Sequence, residues 1–227
     1  MKIGIIVAMD KEHVQLSNLL ATRHEESYMG NKMTIGTMGP HEIILQKCGI
    51  GKVNAAMGTV EMIISHQPDI IISTGCAGGA STSLEVTDVV VGQEYRFHDV
   101  YCGSEVEYGQ MVGEPPFYKA DATLLAKAQS LDCNTKIHSG LTVSGDWFVD
   151  SREKMREILS HHPSALAVDM ESSAIAQVCN THNVPFISFR IISDIPLSDH
   201  KASQYWDFWD RMANGSFEVT KTFIESL

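Results

Sequence analysis

Positive charge is in short supply in this chain. Its 17 lysines and arginines face 28 aspartates and glutamates, a net charge of −11. No basic stripe offsets that balance, which argues against nucleic acid or an anionic membrane as a partner. No apolar run approaches the ~18 residues a membrane helix needs. The five cysteines, Cys48, Cys76, Cys102, Cys133 and Cys179, are odd in number and form no CxxC pair. With no signal peptide ahead of the first apolar run, they predict a reducing, cytoplasmic setting rather than a disulfide-forming one. No repeat, low-complexity stretch or linker divides the chain, and 227 residues suit one α/β domain spanning residues 1–227.

What the chain does have is acids at the ends of apolar runs. VPFISFRIISD closes on Asp194, and Glu171 lies in VDMESSAIA about twenty positions earlier. Near the start, KIGIIVAM is followed at once by Asp10, Lys11 and Glu12. An ionised carboxylate is costly to bury without partners, so chemistry is one reason to keep it there. In an open α/β sheet, ligands bind at the carboxyl ends of the strands. Three strands delivering Glu12, Glu171 and Asp194 to that edge would make one acidic site.

The apolar pattern alternates between strand and helix signals. Strands are predicted over Lys2–Ala8, Met33–Met38, Glu42–Lys47, Asp69–Thr74, Val89–His98, His138–Val143 and Phe186–Ile192. Helices are predicted over Asp10–Leu20, Val53–His66, Ala122–Ala128, Ser151–Leu159, Met170–His182 and Tyr205–Ser226. Glycines near positions 30 and 39 mark hairpins, so the second and third predicted strands run antiparallel. The fold class that follows is α/β, a mixed sheet flanked by helices on both faces. In the helix predicted from Met170, the residues Ala174, Ile175, Val178 and Cys179 fall on the core face. Glu171 lies in its first turn, where a carboxylate is favoured for helix reasons alone as well as for catalysis.

Two glycine-rich turns, CGIGKV from Cys48 and TGCAGGA from Thr74, match neither a Walker loop nor a GxGxxG fingerprint. Each reads either as a tight strand-to-helix connection or as backbone presented to a ligand. Lys52, after the first turn, leaves a phosphate role open. SGDWFV follows another strand; Phe148 reads either as a stacking platform for a flat ligand or, with Trp147, as an ordinary core aromatic.

Taken together, KIGIIVAMDKE, CGIGKV, TGCAGG, the stretch from Phe97 to Gln110, SGDWFV, VDMES and FRIISD resemble the 5′-methylthioadenosine/S-adenosylhomocysteine nucleosidases of the nucleoside phosphorylase superfamily. The pieces keep that family's order from residue 2 to residue 194. The resemblance implies a nucleoside phosphorylase-like α/β domain, a homodimer, and no metal or organic cofactor. It implies irreversible hydrolysis of the N-glycosidic bond to adenine and a 5-substituted thioribose. It makes Glu12 the base that activates water, with Arg190 near the water and the carboxylates. Asp194 becomes the acid that protonates N7 of the purine, oriented by Ser193. Glu171 would take the ribose hydroxyls over Met170, while Phe148 and the Val149 backbone hold adenine. Met9, Ile50 and the backbone of Cys76, Ala77 and Gly78 would line the ribose side, and Tyr205, with Trp206 and Trp209, reads either as a lid or as the apolar face of the last helix.

The residue types suit that chemistry on their own terms. Adenine leaves only if its developing charge is neutralised, which needs an acid with a raised pKa. Cleavage builds positive charge on the ribose, which a carboxylate stabilises. The chain departs from the family with Cys76 in place of serine and Asp169 in place of glutamate. It also has Ser104 and Val106 where larger aromatic groups are expected to reach the neighbour's 5′ pocket. Other readings are a nucleosidase for another 5′-modified adenosine, such as 5′-deoxyadenosine or an aminofutalosine-like nucleoside, a purine nucleoside phosphorylase, and a non-enzymatic nucleoside sensor. Phosphate is a dianion that acids beside the anomeric carbon would repel, and a sensor would not need three acids.

Overall fold

The computed structural model describes residues 1–28, 31–198, 208 and 217–227. Its first half runs β1 (Lys2–Val7), α1 (Asp10–Leu19), β2 (Ala21–Tyr28), β3 (Asn31–Met38), β4 (His41–Lys47), α2 (Lys52–His66), β5 (Ile70–Gly79) and β6 (Val89–Phe97). The second half runs β7 (Tyr118–Lys119), α3 (Ala122–Gln129), β8 (Ile137–Ser144), α4 (Arg152–His161), β9 (Ala165–Asp169), α5 (Ser172–His182), β10 (Phe186–Asp194) and α6 (Glu218–Glu225).

The strands form one mixed sheet. β1 lies between β4 and β5 and is parallel to both. Strands buried on both faces read as near-continuous apolar runs; β1 does so from Ile3 to Val7, while β10, buried along its whole length, also carries Ser188, Arg190, Ser193 and Asp194. β10 pairs in parallel with β5 and antiparallel with β6. β6 pairs with β8, β8 with β9, and β9 with the end of β5. The circuit β5–β9–β8–β6–β10 therefore closes on itself, while β1, β4, β3 and β2 extend from β5 as an open wing. The main core gathers Ile3, Ile5, Ile43, Ile71 and Phe189 from the sheet with Ile175 and Phe223 from α5 and α6.

The expected hairpin around Gly39 is present, with β3 and β4 antiparallel. Several elements differ from expectation. β2, β7 and β9 were not predicted. β2 carries ATRHEESY, exposed at every position, so it has no apolar alternation to read. TGCAGGA is not a turn leading to a helix. Its residues Gly75 to Gly78 continue β5, paired with Arg190 to Asp194 of β10, and the next element is another strand. α5 starts at Ser172, so Glu171 is its N-cap and does not sit in the first turn. Half of the helix predicted over Tyr205–Ser226 falls outside the described residues, within which α6 covers its end.

Candidate active site

The carboxyl ends of β1, β5, β9 and β10 meet at one partly open cleft. Glu12, Glu171 and Asp194 all line it, and each is buried. They reach it from different elements, which is why no local stretch of sequence contains the site.

Glu12 stands in the first turn of α1, but its side chain folds back onto the strand ends. Oε2 accepts the amides of Ala8 and Met9, both at 3.0 Å. Oε1 accepts the amide of Cys76 at 3.0 Å. Burial raises its proton affinity above the usual carboxylate range, and the Cys76 amide and the Arg190 charge pull it back. Gly75 explains part of this closeness: a Cβ there would lie 2.6 Å from Glu12 Oε1 and 2.9 Å from Arg190 Nη1.

Glu171 is the N-cap of α5, and its backbone carbonyl accepts the amides of Ala174 and Ile175, but its side chain does not bond to that helix. Its Oε1 instead accepts the amide of Gly51 at 2.9 Å, from the turn between β4 and α2. Gly51 holds φ at 96°, in the left-handed region where a side chain is strained, and a Cβ would lie 2.9 Å from Asp146 Oδ1. Burial, with Asp169 next, raises the Glu171 pKa to about 7, against the opposing pull of Arg190 and the Gly51 amide.

Asp194 ends β10. Ser193 donates its hydroxyl to Asp194 Oδ1 at 2.6 Å and lies 3.2 Å from the carbonyl of Ala77. Arg190, two turns of the pleat earlier, is almost fully buried beneath the cleft. Its Nε lies 2.7 Å from Asp169 Oδ2 and 2.9 Å from Ser172 Oγ, and Nη2 donates to Ser73 Oγ at 2.6 Å. Asp169 also accepts the amides of Glu171 and Ser172 through Oδ1. The sequence reading treated Asp169 only as a shortened glutamate. It is the anion that holds Arg190 and the start of α5, and only the pairing of β9 with its neighbours reveals that role.

Of the other expected site residues, Met9, Ile50, Cys76, Ala77, Gly78, Phe148, Val149 and Met170 all border the cleft. Trp147 and Phe148 are not core aromatics, being 54% and 58% exposed. Tyr205, Trp206 and Trp209 lie outside the described residues. Lys52 is not available to a phosphate, because its ammonium lies 2.8 and 2.7 Å from the two oxygens of Asp99. Among the described residues lining the cleft there is no lysine, arginine or histidine.

Fold and cleft together define an α/β protein with an acidic, partly enclosed site bordered by an exposed aromatic and backbone edges. The family model described as the phosphorylase superfamily matches residues 2–225. A 5′-methylthioadenosine/S-adenosylhomocysteine nucleosidase of an Exiguobacterium species is 40% identical over 211 residues, 91% of this chain and 90% of that protein. A nucleosidase of the same name from Bacillus cereus is 38% identical over 231 residues and is covered, like this chain, at 100%. The Streptococcus pneumoniae MTA/SAH nucleosidase, solved in complex with 8-aminoadenine, is 36% identical, with a TM-score of 0.93 over 100% of both chains. The chain belongs to the phosphorylase superfamily and, within it, to the family of the 5′-methylthioadenosine/S-adenosylhomocysteine nucleosidases.

Proposed function

We propose that this chain, acting as one catalytic domain over residues 1–227, hydrolyses the N-glycosidic bond of 5′-methylthioadenosine and S-adenosylhomocysteine. The products are adenine and a 5-thio-substituted ribose. The observation that carries this reading is the convergence of four buried carboxylates on one cleft without a cationic lining residue among those described: Asp169, which is paired with Arg190, and the three acids Glu12, Glu171 and Asp194, each held by different partners.

Each carboxylate then has a separate task. An ionised carboxylate offers about four lone-pair positions, and three amides occupy Glu12. The remaining position accepts a proton from water, and burial makes Glu12 a stronger base for it. Gly51 takes Oε1 of Glu171, leaving Oε2 to accept from the ribose hydroxyls while the negative charge stabilises the cationic ribose. Asp194 delivers the proton to N7 of adenine, and the Ser193 hydroxyl fixes the orientation of its carboxyl. Arg190 moderates the repulsion among the acids from below, paired with Asp169. Phe148 and the backbone at Val149 hold the adenine, and Met170, Met9 and Ile50 pack against the sugar. Phosphate as nucleophile is disfavoured, because a dianion would enter a site rich in acids whose nearest guanidinium is already engaged.

The reading extends to a cytoplasmic homodimer. The five cysteines are all free, which suits a reducing compartment. The apolar stripe of α2 supports the dimer: Val53, Met57 and Ile64 are 68%, 57% and 58% exposed, while the buried face uses Ala55, Gly58, Thr59 and Met62. No helix among the described residues is long and apolar enough to cross a membrane.

Adenine release from methylthioadenosine, S-adenosylhomocysteine and 5′-deoxyadenosine tests the function. The first two are expected to turn over. Ser104 is exposed and Val106 only half-buried, so methylthioadenosine is expected to lead 5′-deoxyadenosine by less than about a hundredfold, the range of one or two methylene-sized contacts. No adenine from either thio-nucleoside would overturn the reading.

A further inference from the structure

Lys52, Asp99 and Asp146 do not border the cleft, yet they tie together the segments that do. Lys52 begins α2, one residue after Gly51. Its ammonium lies 2.8 and 2.7 Å from the two oxygens of Asp99, just past the end of β6, and 3.9 Å from Asp146 Oδ2. The Lys52 amide donates to Asp146 Oδ1 at 2.8 Å. The Asp146 amide in turn donates to Asp99 Oδ2 at 2.8 Å. The contacts close a ring through the β4–α2 turn, the end of β6 and the loop between β8 and α4. The Lys52 ammonium also lies 5.5 Å from the centre of the Phe97 ring, which backs the ring of charges.

Both sides of the substrate site hang on this ring. On one side, Gly51 holds Glu171 and Ile50 borders the cleft. On the other, Trp147 and Phe148 follow Asp146 directly and also border the cleft. We propose that Lys52, Asp99 and Asp146 form a clasp that sets the spacing between the ribose subsite and the adenine subsite. They are positioning residues, since none of them lines the cleft, and the inference rests on the nucleosidase reading given above.

The charges make Lys52 the essential member. Two carboxylates share its one ammonium, and without it Asp99 and Asp146 repel each other across the hydrogen bond that the Asp146 amide donates to Asp99. The cluster is partly exposed, with 22% and 26% of the Lys52 and Asp99 side chains accessible, so its loss costs little global stability. The effect falls on loop position, to which bound geometry is sensitive. Glu12 and Asp194 are held by other partners, the amides of Ala8, Met9 and Cys76 and the Ser193 hydroxyl. Glu171, held by Gly51, is the acid the clasp does reach, so loosening the clasp weakens binding and also lowers kcat, the binding loss being the larger.

The test compares wild type, Lys52→Met and Lys52→Arg with methylthioadenosine as substrate and with adenine binding measured by calorimetry. Lys52→Met is expected to raise KM and the adenine Kd at least tenfold, with a smaller loss in kcat. Lys52→Arg, which keeps a charge able to reach both oxygens of Asp99, is expected to restore KM to within threefold of wild type. Asp99→Asn, expected to follow Lys52→Met, takes its place if that variant does not fold. KM and adenine affinity within twofold of wild type, or a kcat loss larger than the KM change, would overturn the clasp. A wild-type protein that releases no adenine would instead overturn the nucleosidase reading, so the two failures are distinct.

Discussion

The backbone amide of Cys76 donates to Glu12 Oε1 at 3.0 Å, and this one bond fastens the first turn of α1 to the middle of the β5 extension. With the amides of Ala8 and Met9 on the other oxygen, the carboxylate is aimed by backbone alone. In Glu12→Gln the side-chain oxygen can keep the Ala8 and Met9 amides only by turning its NH2 group toward the Cys76 N–H. The variant also lacks a base. Turnover is expected to fall by at least ~10²-fold while adenine still binds, since the proposed role puts Glu12 on the water side. Calorimetry with adenine and a turnover assay on the same sample check both halves; retained hydrolysis with lost adenine affinity would reverse the assignment of roles.

Asp194→Asn keeps the shape of the side chain and can still accept the Ser193 hydroxyl through its carbonyl oxygen. An amide cannot supply an acidic proton to N7. The expected outcome is a rate loss in the ~10²–10⁴ range of general-acid catalysis with substrate binding still measurable. More than about a tenth of the wild-type rate would remove Asp194 from that role.

Glu171 links catalysis to pH and stability with opposite signs. Burial, with Asp169 next, holds its pKa at about 7. As pH falls through 7 the carboxylate takes a proton and can no longer accept from two ribose hydroxyls, so kcat/KM is expected to decline on the acid side. For folding, the native pKa lies above the ordinary 4.5. The native state therefore binds this proton more tightly than the unfolded chain does. The associated stability is complete below about 4.5 and is lost as pH rises to about 7, on the order of 3 kcal/mol. Glu171→Gln can keep the Gly51 bond through its oxygen without the charge. It is expected to melt above wild type at pH 8 and to depend less on pH between 5 and 7, while losing most activity. Thermal melts across that range decide; a variant that melts lower than wild type at pH 8 contradicts the account.

Much of this arrangement was legible before the fold. Runs such as KIGIIVAM and VPFISFRIISD read as buried strands because apolar residues dominate them, with an acid at or just past the end. The acids stood out because a carboxylate closing such a run is costly. Other parts had no local signal. β2 is stabilised by pairing with β3 rather than by an apolar face. β9 has five residues, and its sequence merges with the helix after it. The closure that places β10 between β5 and β6 depends on pairings about 100 residues apart or more, and with it the Arg190–Asp169 pair. Lys52 was ambiguous for a related reason. A lysine after a glycine turn looks available to phosphate until Asp99, from a distant strand end, is beside it.

The outward stripe on α2 makes a prediction about assembly. Val53 and Met57 are one helical turn apart and exposed. If they seal a dimer, Val53→Asp with Met57→Glu is expected to give a folded monomer by sedimentation, with an unchanged far-UV spectrum. A wild-type protein that sediments as a monomer at micromolar concentration would contradict the dimer.

The central claim is that water, activated at Glu12, attacks the ribose in a cleft that repels phosphate. Its most direct test is turnover of methylthioadenosine in phosphate-free buffer and again with millimolar phosphate, with the sugar product identified in each. The account predicts the same rate of adenine release in both, with free methylthioribose as the sugar. A rate that depends on phosphate and yields methylthioribose 1-phosphate would contradict it.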